Sequence, residues 1–114
     1  EVYRQGRNIR FHEHFAPRGT NADFVSLINR NKIRVRTYER GVEDETLACG
    51  TGVVAAVLAA AQRNLVESPV DVLVRSSESL RVYFENQNGL CREIYLEGRV
   101  KMVYQGMLLE EAYQ

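Results

Sequence analysis

Cys49 stands in the stretch "ETLACGTGVVA", between an alanine and two glycines that flank a threonine, directly ahead of a run of small apolar residues. A cysteine needed only for packing has no use for that setting, whereas a reactive one does. A helix starting at Gly50 would put Cys49 at its N-terminus. There, unpaired backbone N–H groups and the positive end of the helix dipole favour a thiolate over a thiol. The same amides can receive a ligand carboxylate. Gly50 and Gly52 permit its close approach, and Thr51 adds a hydroxyl donor. Upstream, "YERG" supplies a carboxylate, Glu39, and a guanidinium, Arg40, before a turn at Gly41. Arg40 suits bidentate recognition of a carboxylate, and Glu39 could hydrogen-bond the cysteine and modulate its pKa.

Other candidates carry less chemistry. Cys91 lies in an alternating segment without a glycine, histidine or helix start beside it, so it reads as a packing residue. His12 and His14 have no Cys, Asp or Glu cluster to complete a ligand set, and neither cysteine has a CxxC or Cys/His spacing. No metal site or disulfide scaffold is expected.

The elements that must position Cys49 are mostly strands. In "KIRVRTYE", Ile33, Val35 and Thr37 share one face and Lys32, Arg34 and Arg36 the other, which predicts a half-buried strand. "DFVSLINRN" precedes it as an antiparallel partner, turning near Asn29 to Lys32. Alternation recurs in "VDVLVRS", "LRVYFEN", "CREIYLEG" and "RVKMVYQG", separated by turn signals at Ser76 to Glu78, Asn88-Gly89 and Gly98. The exception is "GTGVVAAVLAAAQRNL", Gly50 to Leu65. It is too long for an ordinary strand, alanine-rich, and apolar nearly all round from Val53 to Ala61, which predicts a helix enclosed on every side. Asn64 and Pro69 would end it. The expected fold is therefore α+β: a curved, mostly antiparallel, roll- or barrel-like sheet wrapped around one central buried helix.

The 114 residues set one domain as the limit, 1–114. Fifteen basic and fifteen acidic residues cancel, so nothing electrostatic recommends nucleic acid or an anionic membrane as partner. No run approaches the roughly 18 apolar residues of a membrane span. "EVYRQGRNIR" lacks signal-peptide form, so a cytoplasmic setting is expected. The chain opens at Glu1, in mid-pattern and without a methionine, and is expected to be a piece of a longer protein.

"YERGVEDETLACGTG" resembles the second catalytic motif of the diaminopimelate epimerase family, and "IRFHEHFAPRGTNADFV" is similar to the segment that precedes it there. "LEGRVKMVYQG" is similar to that family's closing strands, so the resemblance runs in order from Ile9 to Gly106. It implies a cofactor-independent isomerase of lysine and peptidoglycan precursor synthesis. Cys49 would be one of two catalytic cysteines, with Asn21, Glu39, Arg40, Gly50 and Thr51 binding substrate and Glu39 also modulating the thiol pKa. Asn21 rests on the resemblance alone.

The family is built from two similar lobes with one cysteine each, and only the second motif is present here. The resemblance therefore makes the chain most of a C-terminal lobe, inactive alone, whose partners are diaminopimelate and an N-terminal lobe absent from this chain. Three departures stand out: Ala16 intervenes before Pro17, "GRV" at Gly98 to Val100 replaces Gly-Pro-Ala, and Val54 stands where some members carry another cysteine. Two other readings stay open. One is a related two-thiol racemase acting on a different amino acid. The other is a non-catalytic fragment that self-associates as a homodimer through the surface the first lobe would cover.

Overall fold

The alternation of Lys32–Glu39 becomes strand β2, with Ile33, Val35 and Thr37 buried on the face that alternation predicts. These positions come from a computed structural model, which describes residues 1–114. Strand β1, Ala22–Asn29, pairs antiparallel with β2 from Ala22↔Tyr38 to Asn29↔Lys32. The tip between them is pinned. Asn29 Oδ1 accepts from the Asn31 N–H, and the Asn31 amide donates to the carbonyls of Glu67 and Pro69.

Three further strands complete the path: β4 (Val70–Leu73), β5 (Ser79–Gln87) and β6 (Leu90–Glu97), with a three-residue β3 (Asp44–Thr46) earlier in the chain. The sheet order is β1-β2-β4-β5-β6, with β3 paired to β2 off this path. β2 thus carries β1 along one edge. Along the other, β3 meets residues 37 to 39 and β4 meets residues 32 to 34. All pairings are antiparallel except β2 with β4.

The expected helix is α2, Gly50–Gln62. It ends as its sequence predicts: Asn64 takes a left-handed φ of 57°, and the Leu65 N–H returns to the Ala60 carbonyl at 3.0 Å, closing a Schellman-type cap. Val53, Val57, Ala60 and Ala61 pack onto Ile33, Val35, Val70, Val72 and Val82 to form the core. Burial of these branched side chains is the main stabilising term, at about 1.5–3 kcal/mol for each fully buried one.

Three details depart from the sequence reading. The sheet is open and does not close into a barrel. Helix α2 is not enclosed on every side, because Thr51, Ala55, Ala59 and Gln62 form an exposed stripe at helical spacing. Alanines commit to neither face, so an all-round apolar run does not report which side is covered. Finally, "RVKMVYQG" is not a strand. It pairs with nothing, and Val100, Met102, Val103 and Tyr104 are exposed. Its alternation requires a covered face, and no other segment of this chain covers one.

A second helix, α1 (Val2–Arg10), was not anticipated. It rests on β2 through Gly6, whose Cα faces the Tyr38 ring, and Tyr3 stacks edge-on against that ring at 5.8 Å. No helix is long and apolar enough to cross a membrane.

Candidate active site at the start of the central helix

The chain leaves β2 at Glu39, turns through Gly41 and Glu43 in left-handed backbone, and forms β3 before reaching Cys49. Gly41, at φ 93°, is where the turn requires a glycine. The turn is anchored twice. The Glu43 N–H donates to the Glu39 carbonyl at 2.8 Å, and the half-buried Glu43 carboxylate accepts from Arg10 Nε of α1 at 2.9 Å.

β3 is held by Glu45, whose side chain is only 7% exposed. Its carboxylate accepts from Arg36 Nε and Nη2 at 2.5 and 2.7 Å, while Arg75 donates to its backbone carbonyl at 3.0 Å. The Arg36 hydrogen bonds hold the Glu45 carboxyl below the usual carboxylate range, outweighing the opposing effect of burial. The Leu47 carbonyl accepts from Ser76. The approach to Cys49 is therefore fixed from α1, β2 and the β4–β5 turn.

Cys49 is the N-cap of α2, half-buried and in extended backbone. Its Sγ lies 3.5 Å from Thr51 Oγ1. The side chain caps nothing, and no acidic residue occupies the first turn. The N–H groups of Gly50, Thr51 and Gly52 donate to no protein group. The cysteine thus directly precedes three free amides at the positive end of a 13-residue helix, an arrangement able to receive a carboxylate beside an acid/base group.

The remaining expected site residues fall into two sets. Asn21 Oδ1 accepts from the Arg40 N–H at 2.8 Å, and Arg40 Nη1 donates to the Arg18 carbonyl at 3.2 Å. Asn21 and Arg40 are therefore one unit, with Arg40 exposed at its rim. Glu39 is half-buried at the end of β2, and its carboxylate forms no hydrogen bond with Cys49. His12 and His14 lie in an exposed 3-10 turn, where the His14 N–H donates to His12 Nδ1. No group of three or more His, Cys, Asp or Glu residues is placed to hold a metal ion. Cys91 packs against the core from β6.

Sequence reasoning missed Glu45, Asp23 and Thr37. Thr37 Oγ1 donates to Asp23 Oδ1 at 2.6 Å beneath the first turn of α2. A threonine on the Ile33 and Val35 face was the available signal, since a buried hydroxyl needs a partner.

The family model described as diaminopimelate epimerase matches residues 1–103. The chain belongs to the diaminopimelate epimerase family. Members similar to it include the diaminopimelate epimerases of Aquifex aeolicus, 47% identical over 99% of this chain, and of Hydrogenobaculum sp., 45% identical over 99%. The diaminopimelate epimerase of Chlorobaculum tepidum is 46% identical over 95%. This chain covers 40%, 39% and 41% of those three proteins, so it spans about two fifths of the length of the relatives it matches.

Proposed function

We propose that the chain is the Cys49-bearing, C-terminal lobe of a cytoplasmic, cofactor-independent isomerase that interconverts LL- and meso-diaminopimelate for lysine and peptidoglycan precursor synthesis. The observation that carries this reading is a half-buried cysteine, Cys49, at the N-cap of a helix whose first three amides are unpaired, in a chain matched over residues 1–103 by that family.

One cysteine, as thiolate, takes the α-proton; a second, as thiol, delivers its own proton to the opposite face of the α-carbon. Two groups are needed because a base that returns the proton to the face it came from regenerates the starting configuration. The reaction consumes no net proton: the thiolate becomes a thiol, the thiol a thiolate, and the α-carbon inverts. Without an electron sink, the carbanion depends on fixed dipoles around the carboxylate. The free N–H groups of Gly50 and Thr51 suit that role. Arg40, held by Asn21, and Glu39 bind the rest of the substrate. Since Cys91 packs in a strand, the second thiol comes from an N-terminal lobe outside this chain, and the chain alone is inactive.

The test follows α-proton exchange into deuterated water with LL-diaminopimelate, on this chain and on the complete gene product. Exchange by the complete product only, abolished by Cys49→Ser, is expected. Exchange by this chain alone would sink the two-lobe reading. Activity toward another amino acid instead would move the substrate and keep the chemistry.

A further inference from the structure

A helix N-terminus is ordinarily stabilised by a side-chain cap or an acidic first turn. Helix α2 has neither, and a cap on its first amides would occupy the donors a ligand needs. Another support is present. Asp23 of β1 lies directly opposite Thr37 of β2, and Thr37 lies directly opposite Thr46 of β3. Residues paired across adjacent strands project to the same face, so the three form a polar row across the sheet. Thr37, 3% exposed, is the one buried polar residue, and its hydroxyl donates to Asp23 Oδ1 at 2.6 Å. The Thr46 hydroxyl is buried and has no protein partner.

The loop bearing Cys49 leaves this row at Thr46 and returns to it at Gly52. Gly52 is buried directly on the Asp23 carboxylate: a Cβ there would stand 2.7 Å from Oδ1 and 3.0 Å from Oδ2. Contact this close to the Gly52 backbone fixes the height of the first turn over the sheet. It does so from the side, because Asp23 accepts from none of the three amides.

We infer that Asp23, locked by Thr37, is a positioning residue that seats the first turn of α2 and so holds the amides of Gly50 to Gly52 and the Cys49 sulfur in register for substrate. This rests on the function proposed above and adds to it a residue that does not touch substrate.

The experiment compares Asp23→Ala, Asp23→Asn and Thr37→Val in the complete gene product. It measures kcat and KM for α-proton exchange, the thermal midpoint, and the amide resonances of Gly50, Thr51 and Gly52 without substrate. Asp23→Ala and Thr37→Val should raise KM about tenfold, the size expected when binding donors are misplaced. Asp23→Asn keeps an oxygen for the Thr37 hydroxyl and should stay within about threefold of wild type. The three amide resonances should move in Asp23→Ala and hold in Asp23→Asn.

A lowered midpoint with unchanged KM and unmoved resonances would make Asp23 an ordinary structural residue and overturn the inference, as would an Asn variant as impaired as the Ala variant. If Asp23→Ala fails to fold, Thr37→Val against Asp23→Asn decides by the same readouts. Wild-type exchange tests the proposed function separately. If it occurs with another amino acid, KM is compared on that one, and if with none, the resonances alone decide the inference.

Discussion

Glu45 and Arg36 meet edge to edge, two carboxylate oxygens against Nε and Nη2 at 2.5 and 2.7 Å, with the carboxylate almost wholly withdrawn from water. This pair ties β3 to β2 four residues ahead of Cys49. Glu45→Gln removes the charge and one of the two matched oxygens. Hydrogen bonds to charged groups contribute about 1.5–3 kcal/mol. The loss should fall at the lower end, because Arg36 keeps about half its side-chain surface in water. Urea unfolding of wild type and variant measures it.

The same pair sets a pH dependence. Arg36 lowers the Glu45 carboxyl from its usual 4.5 in the folded state. The stabilisation is therefore fully present above the unfolded-state value and is lost as pH falls through the folded one. The stability difference between wild type and Glu45→Gln should stay constant from neutrality to about pH 5.5 and shrink below about pH 4.5. A difference that persists unchanged well into acid would contradict this account of the clamp.

Gly6 makes another close approach, against Tyr38. A Cβ on it would overlap the Cβ of Tyr38 and come within 2.7 Å of its Cγ. Those atoms sit at the root of a fully buried side chain and cannot swing aside. Gly6→Ala gains about 1 kcal/mol in helix propensity, while overpacking costs about 1–3 kcal/mol. The net effect should be a lower thermal midpoint with α1 lifted from β2, visible as weakened amide protection of Val2–Arg10 in hydrogen exchange.

Asn21 and Arg40 should fail together. Asn21→Ala removes the acceptor of the Arg40 N–H, a hydrogen bond of about 0.5–1.5 kcal/mol. In the complete gene product, KM for diaminopimelate should rise roughly two- to tenfold, with Asn21→Asp, which keeps the oxygen, close to wild type. Equal impairment of both variants would show that Asn21 acts through its side-chain NH2 instead.

The two cysteines should separate cleanly. Cys91 is a half-buried packing residue of β6. Cys91→Ala should cost about 0.5–1.5 kcal/mol in stability and leave exchange unchanged, whereas Cys49→Ser should abolish it. Loss of exchange in Cys91→Ala, with the folded fraction intact, would require a different assignment of the second thiol.

What the sequence made legible follows from how local each signal is. β2 could be read because its period-2 pattern meets a core on one side only, and α2 because alanine and a left-handed asparagine mark its body and end. α1 was hidden: its contact with Tyr38 is made by the absence of a side chain at Gly6, and only Val2 and Gly6 are buried. β3, at three residues, is too short to show a period. Around the site, Cys49, Gly50 and Thr51 are contiguous and could be read together. The partners that hold them are not: Arg36 and Arg75 reach Glu45 from 9 and 30 residues away, and Asp23 meets Thr37 across 14. Such contacts exist only once strand register is set.

The single parallel pairing, β2 beside β4, also favours one order of assembly. The β1–β2 and β5–β6 ribbons close over short turns and can form early, whereas Ile33 meets Val72 only after the 30 intervening residues between Glu39 and Val70 have been gathered in. Joining the two ribbons carries the cost of closing that long loop. The loop holds the whole approach to Cys49 and α2 itself, so the candidate site is expected to take shape in the same late event that completes the sheet, which φ-values from folding and unfolding rates would measure. Substitutions there should accelerate unfolding more than they slow folding.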